Sequence, residues 1–118
     1  MSPAEELALV CKAILEGQTV TGCCEWHERA FQRVHCDTDL AGLTPAAIRK
    51  LLIEFVSGGG TIQQVKEQRP DYNDFEFYYK VVVPVVEFPH GLFVELRLID
   101  PDVDCPTVLI VNAHAQRK

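Results

Sequence analysis

Three consecutive glycines, Gly58-Gly59-Gly60, separate two kinds of apolar spacing in this chain. Before them Ile48, Leu51, Leu52, Phe55 and Val56 recur every three or four residues, which lines one face of a helix. After them the stretches FEFYYKVVVPVV and LFVELRLID alternate, which gives a strand one greasy and one mixed face. Helices first and strands second define an α+β chain, because the helical stripes must be buried against the apolar side of the sheet.

The helices are marked at their starts. Ser2-Pro3 followed by Glu5 and Glu6 supplies a capping hydroxyl, a proline where no N–H is needed and acids at the positive dipole end, so a helix is expected over 3–16. QTVTGCC is a short β-branched stretch, and EWHERAFQRV, with Trp26, Ala30, Phe31 and Val34 on one face, is a second helix. Thr44-Pro45 opens a third over 45–56. Beyond the glycines, TIQQVKEQ is a short or edge strand, RPDYND a turn and FEFYYKVVVPVV a long strand. Pro84 cannot donate to a ladder, so it belongs at an edge, bulge or kink. EFPHG, LFVELRLID, PDVDCP and TVLIVNAH then read as turn, strand, turn and strand. The expected fold is α+β, about three N-terminal helices packed on a three- or four-stranded antiparallel β-meander, in one domain spanning 1–118.

Composition narrows the partners. The net charge is −6, with acids outnumbering bases in both halves, whereas nucleic-acid binders cluster Lys and Arg to displace counterions. Cys11, Cys23, Cys24, Cys36 and Cys105 are odd in number and irregular in spacing, and no apolar signal segment precedes them, which points to free thiols in a reducing cytoplasm. The apolar runs fall short of the roughly 18 residues of a membrane span, so no membrane association is expected. A homo-oligomer is compatible with everything above.

Parity along the strands assigns faces. Leu92, Val94, Leu96 and Leu98 form an apolar row, leaving Glu95 and Arg97 opposite; Tyr79, Val81 and Val83 do the same for Tyr78 and Lys80. On the last strand only the ends distinguish the two rows, and placing Asn112 and His114 on the mixed face gathers Tyr78, Lys80, Glu95, Arg97, Asn112 and His114 on one surface. Such a set offers a proton carrier, two cations, a phenol and a carboxylate, the groups that acid–base work on a phosphodiester uses. The commoner origin of such a set is the surface that any antiparallel sheet shows to water, with opposite charges pairing across strands.

Other groupings carry less. Cys23, Cys24, His27, His35 and Cys36 lie close in sequence, but their spacing matches no paired-cysteine zinc site, and no metal is assigned. His27 is an alternative acid–base group on a helix, and His90 a turn residue. SGGGT follows a helix instead of a strand and lacks the lysine of a phosphate-binding loop. Serine-hydrolase, zinc-protease and dinucleotide signatures are absent from the sequence, and no cofactor is implied.

The succession FYYKVVVPV, GLFVELRLID and VLIVNAHAQ after N-terminal helices resembles the small bacterial ribonuclease toxins of toxin–antitoxin systems, the RelE-like and MqsR-like group, over residues 45–118. The resemblance implies metal-independent RNA cleavage on the sheet, with His114 as general acid or base, Lys80 and Arg97 stabilising the phosphorane, and Tyr78 stacking on a base or transferring a proton; Asn112, placed beside them by parity, would bind substrate with Tyr78, and the partners would be RNA or a cognate protein. The acidic charge departs from that group. The other class of function the sequence allows is a non-enzymatic binding or regulatory module.

Overall fold

The computed structural model describes residues 1–72 and 74–116. Helix α1 (Pro3–Glu16) begins at a capping box in which the Ser2 hydroxyl accepts from the Glu5 N–H and the Glu5 carboxylate accepts from the Ser2 N–H. A short strand β1 (Cys24–Trp26) leads into α2 (Glu28–His35), and α3 (Pro45–Ser57) is capped by the Thr44 hydroxyl. Strands β2 (Gln63–Lys66), β3 (Phe77–Val85), β4 (Phe88–Asp100) and β5 (Thr107–Ala115) follow. Asn73, within the expected RPDYND turn, lies outside the described residues.

The sheet corrects the expected meander. It has five strands in the order β1-β5-β4-β3-β2, and although β2 to β5 pair antiparallel in sequence order, β1 joins the far edge parallel to β5. The α+β class stands, but the sheet is larger and mixed. β1 is also tied to α3. Arg49 of α3 donates to the carbonyls of Cys24 and Gly17, both at 2.7 Å, and the Trp26 indole N–H donates to the Pro45 carbonyl at 2.9 Å. These bonds explain how a three-residue strand persists at an edge.

One face of the sheet carries the core. Val10, Ala13 and Ile14 of α1 and Ile48, Leu52 and Val56 of α3 pack on Tyr79, Val81, Leu92, Val94, Leu96, Val108 and Ile110. Tyr79 is fully buried, and its hydroxyl accepts from the Gln64 amide at 3.1 Å, so the one polar atom it takes into the core is satisfied.

Pro84 falls where the β3–β4 register shifts, between Val83 and Val85, which spares the ladder the donor that proline lacks. Gly91 faces this irregularity at φ +87°, where a Cβ would come within 2.8 Å of Val82 Cγ1 and 3.0 Å of the Val83 carbonyl oxygen. Gly91→Ala is expected to destabilise the protein by about 1–3 kcal/mol, from left-handed strain plus the clash. Urea denaturation checks this; an unchanged midpoint contradicts it.

Candidate functional site

The second sheet face holds Tyr78, Lys80, Glu95, Arg97, Asn112 and His114, but it is divided in two. Across β4 the register aligns Arg97 with Leu109 on β5, Glu95 with Asn112, and Phe93 with His114; across β3 it aligns Glu95 with Lys80 and Phe93 with Val82. His114 and Arg97 are thus one strand and four residues apart, about 14 Å between backbones, and His114 and Lys80 about 12 Å.

Arg97 is buried in an ion-paired half that stays open at Arg69, which lines a cavity of about 410 Å³ with Glu67 and Tyr78. Arg97 itself is only 2% exposed, and its guanidinium donates to Glu67 and, at 3.4 Å, to Glu95. Arg69 completes the cluster, donating to Glu67 at 2.9 Å and to Glu95 at 2.8 Å. Tyr72 and Phe75, between β2 and β3, cover Arg97 as a lid: the Tyr72 ring lies 3.8 Å from the Arg97 guanidinium carbon and the Phe75 ring 5.0 Å. Tyr78 takes the Arg69 guanidinium over its face at 4.8 Å. Two carboxylates and two guanidiniums neutralise one another, so Arg97 and the Tyr78 face are engaged internally. Arg97 Nε and Nη1 have no hydrogen-bond partner among the described residues, and the Tyr72 face stands against the cation instead.

Hydrogen bonds from Arg69, and then from Arg97, hold the Glu67 carboxyl down at about 2 against the opposing effect of burial. The hydrogen bonds of Arg69 to Glu67, and then to Glu95, raise Arg69 further above its ordinary value. A carboxyl lowered in the folded state stabilises above its unfolded value and loses that contribution as pH falls through the folded one. Thermal stability should therefore fall between about pH 4.5 and about pH 2, and Glu67→Gln should flatten this acid limb. Melting curves across that range check it; the same slope in both proteins contradicts it.

The open half lies at the end of β5, and a β-bulge builds it. Glu95 pairs with Asn112 while the next residue, Leu96, pairs with Ile110, so Val111 is extra. Val108 and Ile110 can then face the helices before the bulge, and Asn112 and His114 the other side after it. Past the three residues of β1, α2 takes the place of a strand along this edge. Arg33 Nη2 donates to the Val111 carbonyl and to Asn112 Oδ1, both at 3.1 Å, covering edge groups that would otherwise be unpaired.

His114 is half-buried, stacked on Phe93 with ring centroids 4.6 Å apart at 17°. Its Nδ1 lies 3.0 Å from the Ala115 carbonyl oxygen, which can only accept, so the proton resides on Nδ1 and the neutral ring offers Nε2 as an acceptor. A cavity of about 390 Å³ opens beside it, lined by His114, Ala115, Asp37 and Asp39. Lys80 lies between the two halves. The carboxylate opposite it, Glu95, is taken by Arg69 and Arg97, and Lys80 makes no ion pair among the described residues.

Of the residues expected to act together, Asn112 and His114 share the open corner, Lys80 lies two strands away, and Arg97 and Tyr78 belong to the ion-paired cluster. The residue that sequence reasoning did not bring to His114 is Arg33, which lies off the apolar stripe of α2 and in sequence is a neighbour of His27. The cysteines and histidines of residues 23–36 do not gather: Cys23 and Cys24 are buried, His27, His35 and Cys36 are exposed, and no three potential ligands converge among the described residues. No helix among them is long and apolar enough to cross a membrane. No protein-family model matches this chain, and no curated protein or solved structure is significantly similar to it.

Proposed function

We propose that this chain is a small metal-independent ribonuclease of the toxin type, with His114 as its acid–base group and Arg33, in place of Arg97, as the cation beside it. The observation that carries the reading is the bulge at Val111, which re-aims Asn112 and His114 out of a strand whose preceding residues face the core; bulges recur beside active sites because they turn a side chain without breaking the sheet. In this reading Nε2 of His114 takes the proton of a ribose 2′-hydroxyl as its oxygen attacks the adjacent phosphorus; the P–O5′ bond breaks as the P–O2′ bond forms, and the 5′-oxygen leaves with a proton from water, giving a 2′,3′-cyclic phosphate. Arg33 binds the protein through Nη2, which leaves the remaining guanidinium donors of this exposed residue for a phosphate oxygen, and Lys80 attracts the strand from farther along the face. The test is incubation of the purified protein with RNA and with the same sequence as DNA. RNA alone should be cut, since DNA lacks the nucleophile; intact RNA at high protein concentration rejects the reading.

A second reading is favoured by a separate observation: Asp37 and Asp39 line the cavity next to His114, and the whole chain carries −6. Such a cleft suits a basic segment of a cognate protein better than a polyanion. Protein binding without RNA cleavage would establish this module in place of the enzyme.

A further inference from the structure

The turn between β4 and β5 brings two distant thiols together. Cys23, in the 3₁₀ turn that precedes β1, is 1% exposed, and its Sγ lies 3.6 Å from the Sγ of Cys105, which is exposed in the turn that precedes β5. That turn is held in place. The Asp102 N–H donates to the Asp100 carboxylate at 3.1 Å, the Asp104 N–H donates to the Asp102 carboxylate at 2.8 Å, and Lys12 of α1 donates to the Val103 carbonyl at 2.6 Å. A disulfide has a sulfur separation of about 2.05 Å, so closing the gap takes a movement of about 1.5 Å by an exposed turn.

We propose that Cys23 and Cys105 form a reversible disulfide that clamps the short parallel strand β1 onto β5. The oxidant is a hydroperoxide. Its terminal oxygen is transferred to the sulfur of Cys105, the accessible partner, giving a sulfenic acid and, from hydrogen peroxide, one water. Cys23 sulfur then attacks the Cys105 sulfur; the S–O bond breaks as the S–S bond forms, the Cys23 proton goes to the departing hydroxide, and a second water leaves. Two thiols lose two electrons and two protons, and the peroxide is reduced to water. Burial and the neighbouring Cys105 both push the Cys23 thiol above its ordinary value, in keeping with the order in which the two sulfurs react.

The clamp matters because of where it falls. Cys24 and Val108, each within three residues of a bridged cysteine, are partners in the β1–β5 pairing, and β1 leads straight into His27 and α2. Oxidation would therefore fasten the shortest strand pairing of the sheet among the described residues. Cys11, Cys24 and Cys36 should remain thiols.

The experiment treats the reduced full chain with one equivalent of hydrogen peroxide and maps its disulfides by peptide mass analysis without reduction, beside a thermal melt. The expected product is a Cys23–Cys105 linked peptide in the monomer and a melting temperature higher by on the order of 10 °C, since the crosslink closes a long loop of the unfolded chain. Dithiothreitol should reverse both. Cys105→Ser alters an exposed position and should fold, yet show neither the link nor the rise. Recovery of Cys105 only as a sulfinic acid, or linked to Cys36 of a second copy, overturns the proposal, as does a linked monomer that melts no higher than the reduced one.

Discussion

Arg97→Met is expected to lower the stability of the protein by about 3–5 kcal/mol, because it strands two buried carboxylates on one remaining cation. The side chains of Glu67 and Glu95 are 1% and 6% exposed, and with Arg97 gone both rely on Arg69, itself 47% exposed. Methionine keeps the apolar stem beneath the Tyr72 ring, so the loss reports the charge more than the packing. At this chain length that loss corresponds to a melting temperature lower by about 12 °C or more. Adding Glu67→Gln removes one of the stranded charges, so the double variant should lose less than the sum of the single changes, with a coupling of about 1–3 kcal/mol. Thermal and urea melts of the four proteins measure this. A single variant that melts within about 2 °C of the parent would mean that the cluster is solvated and the lid open.

His114→Ala is expected to reduce RNA cleavage by about 10²–10⁴-fold, the usual contribution of one positioned acid–base group. The fold should survive, since the ring stacks on the half-buried Phe93 at the end of a strand and fills no core space. Arg33→Ala should weaken cleavage as well, but it also uncovers the Val111 carbonyl, so Arg33→Lys is the sharper variant: lysine supplies charge without the fork that spans Asn112 and a phosphate. Arg97→Met provides the contrast. Assayed well below its melting temperature it should still cut RNA, because in this account Arg97 never meets substrate. Equal losses from Arg97→Met and His114→Ala would return Arg97 to the site.

Much of the architecture is written in local signals. Ser2-Pro3 and Thr44-Pro45 announce α1 and α3 because capping and proline placement act within one turn of helix. The alternation of β3 and β4 assigns their faces because each strand meets the helices on one side only. What stayed illegible is non-local. β1 is three residues long and owes its existence to Arg49, Trp26 and a partner strand far along the chain, none of which leaves a periodic trace. Strict alternation puts Val108 and Ile110 in the same row as Asn112 and His114. The bulge at Val111 separates them, and no residue type at that position announces it.

Parity likewise places Arg97 on the side away from the helices, yet it says nothing of the two aromatic residues that cover it. Phe75 reads as one more member of the apolar row of β3; instead it precedes that strand and covers Arg97. A signal was present in Tyr72 and Phe75, since two aromatic residues in a polar connector have more apolar surface than a solvated turn needs. Glu67 gave none, because a buried acid is recognisable only beside the guanidiniums that neutralise it.

The division of the polar face into an internally paired ionic half and an imidazole corner with unpaired groups is the claim on which the functional account rests. Titrating the isotope-labelled protein with a 2′-O-methyl RNA oligonucleotide, which binds but cannot be cut, tests it by side-chain NMR. Shifts should concentrate at His114, Asn112 and Arg33 and leave the Arg69 and Arg97 guanidinium signals in place. Shifts centred on those guanidiniums, or none at saturating oligonucleotide, would contradict it.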